Sequence, residues 1–230
     1  TNYAIEWEEN GHNRSRILAC EEIVKSPGIP NHIELIQQAE KTGINVISEI
    51  EFAYRYCQGE IIAITGSNGK TTTASWVYHM LKKAELNVQL VGNVGDSFAL
   101  SVATSSADWY VLEVSSFQLD NIKDFRAKIS MVLNITPDHL DRYEYSLEKY
   151  ADAKLQVAAN AKAGDVFIYC ADDKVLEEAI RRNPNQANPI PFSIKKVLSE
   201  GAFEENENLN IHINNNHFIM SIHDLALQGK

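Results

Sequence analysis

The sequence predicts an α/β fold, a mostly parallel sheet with helices on both faces, followed by a small C-terminal β-hairpin region. Three observations carry that expectation. From Glu60 onward, short apolar runs alternate with segments of helical period. The runs are apolar on both sides, as in strands covered on both faces. A glycine-rich turn, Gly66-Ser67-Asn68-Gly69, joins the first run to the first helical segment.

Upstream of that alternation the elements are sparser. Ile23-Val24 is a short apolar run, and Ser26-Pro27-Gly28-Ile29-Pro30 breaks the chain after it. A helix is expected next, with Asn31 as its cap and Glu34 three residues on, a spacing close to a capping box. Its apolar side would be Ile33, Leu35, Ile36 and Ala39, and Gly43 would end it. Residues 45–48 read as a strand and residues 50–56 as a helix. These elements are too few for an independent core. Residues 1–58 are therefore read as the back part of one domain, a partial Rossmann-like segment, and residues 59–230 as a second domain.

In the second part, residues 61–64 form a short buried strand. A helix over 70–85 would place Ala74, Val77, Leu81 and Ala84 on one face, with Trp76 and Tyr78 assigned to core packing. Residues 88–91, 109–114 and 129–133 are further strands, separated by segments 96–103 and 117–124. A helix over 147–161, a strand over 165–170 and a helix over 173–182 follow. Residues 209–213 and 218–222 flank Asn214-Asn215-Asn216 and read as a hairpin.

Composition narrows the function classes. At 230 residues, 44% hydrophobic and 23% charged, the chain fits a soluble globular protein. Its formal net charge of -10 argues against nucleic acid or anionic membrane as partners. A nucleotide would need a local site of backbone N–H groups, a lysine and a metal. Cys20, Cys57 and Cys170 are scattered, as expected of reduced thiols in a cytoplasmic protein. No apolar run approaches the ~20 residues of a membrane span, and no signal-peptide pattern opens the chain. The start at Thr1 and the end at Lys230 suggest trimmed ends.

Four groups could carry chemistry. Gly66, Ser67, Asn68, Gly69, Lys70, Thr71 and Thr72 sit between a strand and a helix, the context of a phosphate loop. There the backbone N–H groups would curl around an anion, Lys70 would neutralise phosphate and Thr71 would ligate Mg²⁺. The general P-loop pattern would put glycine at position 64, where this chain has Ile64, and a glycine-rich turn opening an ordinary helix is the plainer alternative. Glu113, near the end of an apolar strand, could hold a metal or be a solvated strand end. His139, flanked by Asp138 and Asp141, could be a metal ligand or a loop histidine capped by its neighbours. Lys154 has no acidic neighbour at helical spacing and lies in an apolar stripe. It is either buried, with a depressed pKa, or a snorkelling lysine whose stem covers the core.

Taken in order, Thr65-Gly66-Ser67-Asn68-Gly69-Lys70-Thr71, Gly92-Asn93-Val94-Gly95, Leu112 through Leu119, Asp138 through Tyr143 and Ala153-Lys154 resemble the central domain of the Mur ligases. The Ser115-Ser116-Phe117-Gln118-Leu119 form is similar to the D-glutamate-adding branch. Ser26 through Pro30 and Ser48 through Glu51 look like the end of that family's UDP-binding N-terminal domain.

The resemblance implies a ligase that uses ATP and Mg²⁺; the rival readings are another Mur-type or folylpolyglutamate-type ligase, or a P-loop ATP-binding module without ligase activity. It implies UDP-N-acetylmuramoyl-L-alanine and D-glutamate as substrates and an acyl-phosphate intermediate. Lys70, His139 and Lys154 would be catalytic, with Lys154 carbamylated. Thr71, Glu113, His139 and the Lys154 carbamate would hold metal, and Asn93, Ser115, Gln118 and His139 would line the muramoyl-peptide site. A monomer is expected, and so is incomplete turnover without the family's amino-acid-binding C-terminal domain; the family's adenine-contacting helix would begin at about 227–230.

Overall fold

The computed structural model describes residues 5–224, so the expected start of an adenine-contacting helix at about 227–230 lies outside the described residues. The first part holds α1 (Arg14–Ile17), β1 (Glu22–Lys25), α2 (Glu34–Lys41), β2 (Asn45–Ser48) and α3 (Glu49–Tyr54). β1 and β2 form a two-stranded parallel sheet, covered by α2 through Ile36 and Ala39. Asn31 does not cap α2. Ile33 occupies that position with no side-chain bond, and it is exposed rather than on the apolar side. Residues 30–33 instead form a turn, the Ile33 N–H donating to the Pro30 carbonyl at 3.4 Å, and the helix begins only at Glu34. Gly43 (φ +85°) ends α2 as expected, and the Ile44 N–H closes back on the Ala39 carbonyl.

The second part is built on a nine-stranded sheet. Its elements are β3 (Glu60–Thr65), α4 (Lys70–Lys83), β4 (Val88–Gly92), α5 (Phe98–Thr104), β5 (Trp109–Glu113), α6 (Ser116–Leu119) and β6 (Ile129–Val132). They continue as α7 (Leu147–Leu155), β7 (Val166–Cys170), α8 (Lys174–Arg182), β8 (Asn188–Ser193), β9 (Gly201–Glu205), β10 (Asn208–Ile213) and β11 (Asn216–Ser221). The strand order is β11-β10-β9-β8-β7-β6-β3-β5-β4, parallel from β4 through β9 and antiparallel from β9 to β11.

One face of the sheet carries the larger core, which includes Phe98, Phe125, Tyr150, Leu155 and Phe167; the other packs Ala74, Val77, Tyr78 and Leu81 of α4 against Ile62, Ile64 and Val111. Trp76 is exposed and Ala84 lies beyond the end of α4, so the buried stripe of that helix is narrower than its period suggested. The expected helix over 147–161 ends as α-helix at Leu155 and tightens into a 3₁₀ turn at Gln156–Ala158.

Two strands, β8 and β9, were not legible in the sequence. β8 carries Pro189 and Pro191, which disguise it. Asn188 donates its N–H to Asp165, and the Phe192 carbonyl accepts from Ala171, so that set of residues faces β7. The two prolines alternate with it and turn their missing donors toward β9, where pairing involves only Phe192 and Ser193. The hairpin turn is Asn214-Asn215, both at positive φ (52° and 62°), with Asn216 already in the strand.

The two parts share a core. Ile50 and Ala53 of α3 belong to the larger cluster of the second part. The buried Glu51 carboxylate accepts the backbone N–H groups of Lys123, Asp124 and Phe125 at 2.8–3.2 Å. The free cysteines are Cys20, Cys57 and Cys170, and burial pushes the Cys57 and Cys170 thiols up. Among the described residues, no helix is long and apolar enough to cross a membrane.

Candidate active site

β3 is an inner strand of the sheet, between β5 and β6. The loops leaving the carboxyl ends of these three strands therefore meet at one rim, where open α/β sheets bind ligands. The loop after β3 is the glycine-rich one. Gly66 (φ +150°) passes so close to Leu133 that an added Cβ would lie 3.0 Å from the Leu133 Cβ, and Gly69 (φ +84°) opens α4 in the left-handed region.

A second chain segment, just past β6, clamps this loop. The Asn68 N–H donates to Asn134 Oδ1 at 2.9 Å, and Asn134 Nδ2 donates back to the Asn68 carbonyl at 3.0 Å. The Thr136 N–H donates to Ser67 Oγ at 2.9 Å, and the Ser67 hydroxyl also lies 3.2 Å from that of Tyr150. Asn134, Thr136 and Tyr150 were missed in the sequence. Only their three-dimensional pairing with the loop marks them.

Lys70 folds back on its own loop and donates to the Gly66 and Ser67 carbonyls at 3.0 and 3.1 Å. Lys154 reaches the same Gly66 carbonyl at 2.9 Å from α7. It is only 2% exposed, so it does not snorkel. Its amine lies 4.6 Å from the centroid of the Tyr150 ring. Burial first, and the neighbouring Lys70 second, lower its pKa to about 7.

Glu113 is 1% exposed, which removes the solvated strand-end alternative. Its Oε2 accepts from Thr71 Oγ1 at 2.8 Å and its Oε1 from Asn93 Nδ2 at 3.0 Å. Gly92, ahead of Asn93, sits at φ +104° with no room for a Cβ against the Glu113 carbonyl. Thr72 is exposed on the first turn of α4.

Ser115 and Gln118 form a complete capping box at the start of α6 and satisfy each other: Ser115 Oγ donates to Gln118 Oε1 at 3.0 Å. His139 sits at φ +48° on an exposed loop, its ring 5.3 Å from that of Phe117 and its Nε2 3.6 Å from Asp138 Oδ1. The four expected metal ligands thus fall into three groups on one rim: Thr71 with Glu113, Lys154 on the Gly66 carbonyl, and His139 beside Phe117. Among the described residues, no three His, Cys, Asp or Glu side chains form a metal cluster. The Thr71 hydroxyl and Glu113 carboxylate are nonetheless the hard oxygen donors that Mg²⁺ takes.

Residues 64–228 match the model of the Mur ligase middle domain. The chain is 48% identical over 226 residues to the UDP-N-acetylmuramoylalanine--D-glutamate ligase of Christiangramia forsetii, covering 98% of this chain and 51% of that one. It is 46% identical over 226 residues to the ligase of the same name from Bacteroides thetaiotaomicron, with the same coverage. The chain spans about half the length of these curated relatives. Among solved structures it resembles a UDP-N-acetylmuramoyl-L-alanyl-D-glutamate--2,6-diaminopimelate ligase (TM-score 0.57, 19% identity, covering 87% of this chain and 55% of that one). It also resembles the MurF ligase of Thermotoga maritima in complex with ADP (TM-score 0.55, 19% identity, covering 87% and 54%), and both likenesses speak for the fold. By the middle-domain match over most of its length, the chain belongs to the Mur ligase family.

Proposed function

We propose that this chain carries the ATP-binding core of a ligase that joins D-glutamate to UDP-N-acetylmuramoyl-L-alanine in the cytoplasm. The names of its relatives support the substrates. The observation that carries the chemistry is the bond from Thr71, at the end of the phosphate loop, to the buried Glu113 on the neighbouring strand. In this reading residues 1–58 belong to the UDP-holding domain and residues 59–230 to the central one.

A carboxylate is a poor electrophile, so the terminal L-alanine carboxylate first attacks the γ-phosphate of ATP, giving an acyl phosphate and ADP. The D-glutamate amine then adds to the acyl carbon. The tetrahedral adduct expels phosphate and loses a proton, leaving the amide. The site's part is positioning and charge neutralisation. Backbone N–H groups of 66–71 cradle the phosphates, and Lys70 turns from the Gly66 and Ser67 carbonyls to the triphosphate. Thr71 and Glu113 would hold Mg²⁺, which supplies charge neutralisation to the transferring phosphoryl group. Lys154, with its amine near neutrality, is placed to take up carbon dioxide as a carbamate and so become an anionic oxygen donor. Asn93, Ser115, Gln118 and His139 are assigned to the muramoyl peptide.

The test is phosphate release by the full-length protein. Release should require ATP, the muramoyl-alanine nucleotide and D-glutamate together, and L-lysine or meso-diaminopimelate should not replace D-glutamate. Lys70→Ala and Glu113→Gln should each lower turnover about 10²-fold or more. Equal incorporation of another amino acid would refute the substrate assignment, and full activity of either variant would refute the site.

A further inference from the structure

Arg142 joins the two parts of the chain at the edge of the site. Its Nη2 donates to the Pro27 carbonyl at 3.2 Å and the Ile29 carbonyl at 3.5 Å, and its Nη1 to the Gly28 carbonyl at 3.3 Å. The guanidinium lies 4.4 Å from the centroid of the Phe117 ring, close enough for a cation–π contact. The same phenylalanine adjoins His139 and stacks on Tyr143, whose hydroxyl donates to Asp120. From the other side, the buried Lys25 donates to the Ile29 carbonyl at 2.7 Å.

The loop that carries Arg142 is one that the backbone alone would not hold. His139, Glu144 and Tyr145 all sit in the left-handed region, at φ 48°, 54° and 58°. Such positions are unfavourable for residues with a Cβ and persist where surrounding contacts over-determine them. The short turn between them is closed by the Arg142, Tyr145 and Ser146 N–H groups on the His139, Leu140 and Tyr143 carbonyls. Within that turn Tyr143 reaches Asp120, and Arg142 reaches the first part of the chain. A planar guanidinium presents a fixed fork of N–H donors to several carbonyls while its face meets a ring, a geometry that a shorter, point-like ammonium reproduces only in part.

We infer that Arg142 is a positioning residue that latches the 26–30 turn to the His139 loop, fixing where His139 stands relative to the first part of the chain. The latch stands on geometry. Its consequence for the acceptor rests on the ligase reading above, in which residues 1–58 and His139 hold two portions of one substrate.

The experiment compares Arg142→Ala and Arg142→Lys with the unsubstituted full-length protein by amide hydrogen exchange and by initial rates. Losing charged hydrogen bonds of this kind should speed exchange about tenfold or more at both 26–30 and 139–146, with the phosphate loop at 65–71 unchanged. KM for the muramoyl-alanine nucleotide should rise by about the same factor, while KM for ATP stays within about twofold. Arg142→Lys should show an intermediate effect in both readouts, and it carries the test if the alanine variant does not fold. Exchange that changes at 139–146 alone would overturn the latch. Exchange that rises at both segments with an unchanged acceptor KM would overturn its role in acceptor positioning. Absence of D-glutamate-dependent phosphate release by the unsubstituted protein would instead sink the ligase reading and leave the latch standing on the exchange data.

Discussion

At the scale of single residues, Lys154 shows how far tertiary structure can move intrinsic chemistry. An ordinary lysine titrates near 10.5, whereas burial and the adjacent Lys70 bring this one to about 7. Between those values the unfolded chain binds a proton that the folded chain does not. Stability should therefore rise with pH through that window, by at most roughly 1.4 kcal/mol per pH unit. Replacing Lys154 with methionine removes the titrating group while keeping an apolar stem. In urea denaturation with carbon dioxide excluded, the variant's advantage over the unsubstituted chain should shrink by roughly 2 kcal/mol or more between about pH 7 and about pH 9. Parallel stability profiles for the two proteins would show that the amine keeps its ordinary affinity for protons. Glu113 makes the complementary point, because its two oxygens are bonded by Thr71 and Asn93 and its orientation is fixed before any ligand arrives.

Among the elements, α3 does more than its six residues suggest. Ser48 caps it, Ile50 and Ala53 face the core of the larger sheet, and Glu51 accepts three backbone N–H groups from the segment 123–125. A buried carboxylate that receives main-chain donors is hard to replace, since its removal leaves several of them without a partner. Glu51→Ala should cost about 3 kcal/mol, well above a typical surface substitution, read as a lowered denaturation midpoint with an unchanged slope. A loss of under about 0.5 kcal/mol would mean that water replaces the carboxylate without penalty. The motif Ser48-Glu49-Ile50-Glu51 was visible in the sequence as a family resemblance, but its function as a pin was not, because the donors lie more than seventy residues away.

For the molecule as a whole, the shared core implies shared stability. With α3 bridging the two-stranded and nine-stranded sheets, the parts should unfold together. Far-ultraviolet circular dichroism and tryptophan fluorescence should give one coincident transition in denaturant. Two separated transitions would show that the N-terminal part unfolds by itself. The same wholeness places the site: β3 has β5 on one side and β6 on the other, so three loops distant in sequence reach a common rim.

The sequence by itself determined the alternation of strands and helices, the glycine-rich turn between β3 and α4, the hairpin and the motifs that identify the family, because these are written in short-range pattern. It also placed the strand ends that carry Glu113 and His139. Tertiary structure alone decided that Lys154 is buried on the Gly66 carbonyl, and that Asn134 and Thr136 clamp the loop. It likewise decided that Arg142 grips the 26–30 turn and that β8 is a strand despite its prolines. The physical reason is common to all four. Burial, and which donor meets which acceptor, depend on neighbours brought together by the packing of the sheet, and local propensity carries no record of them.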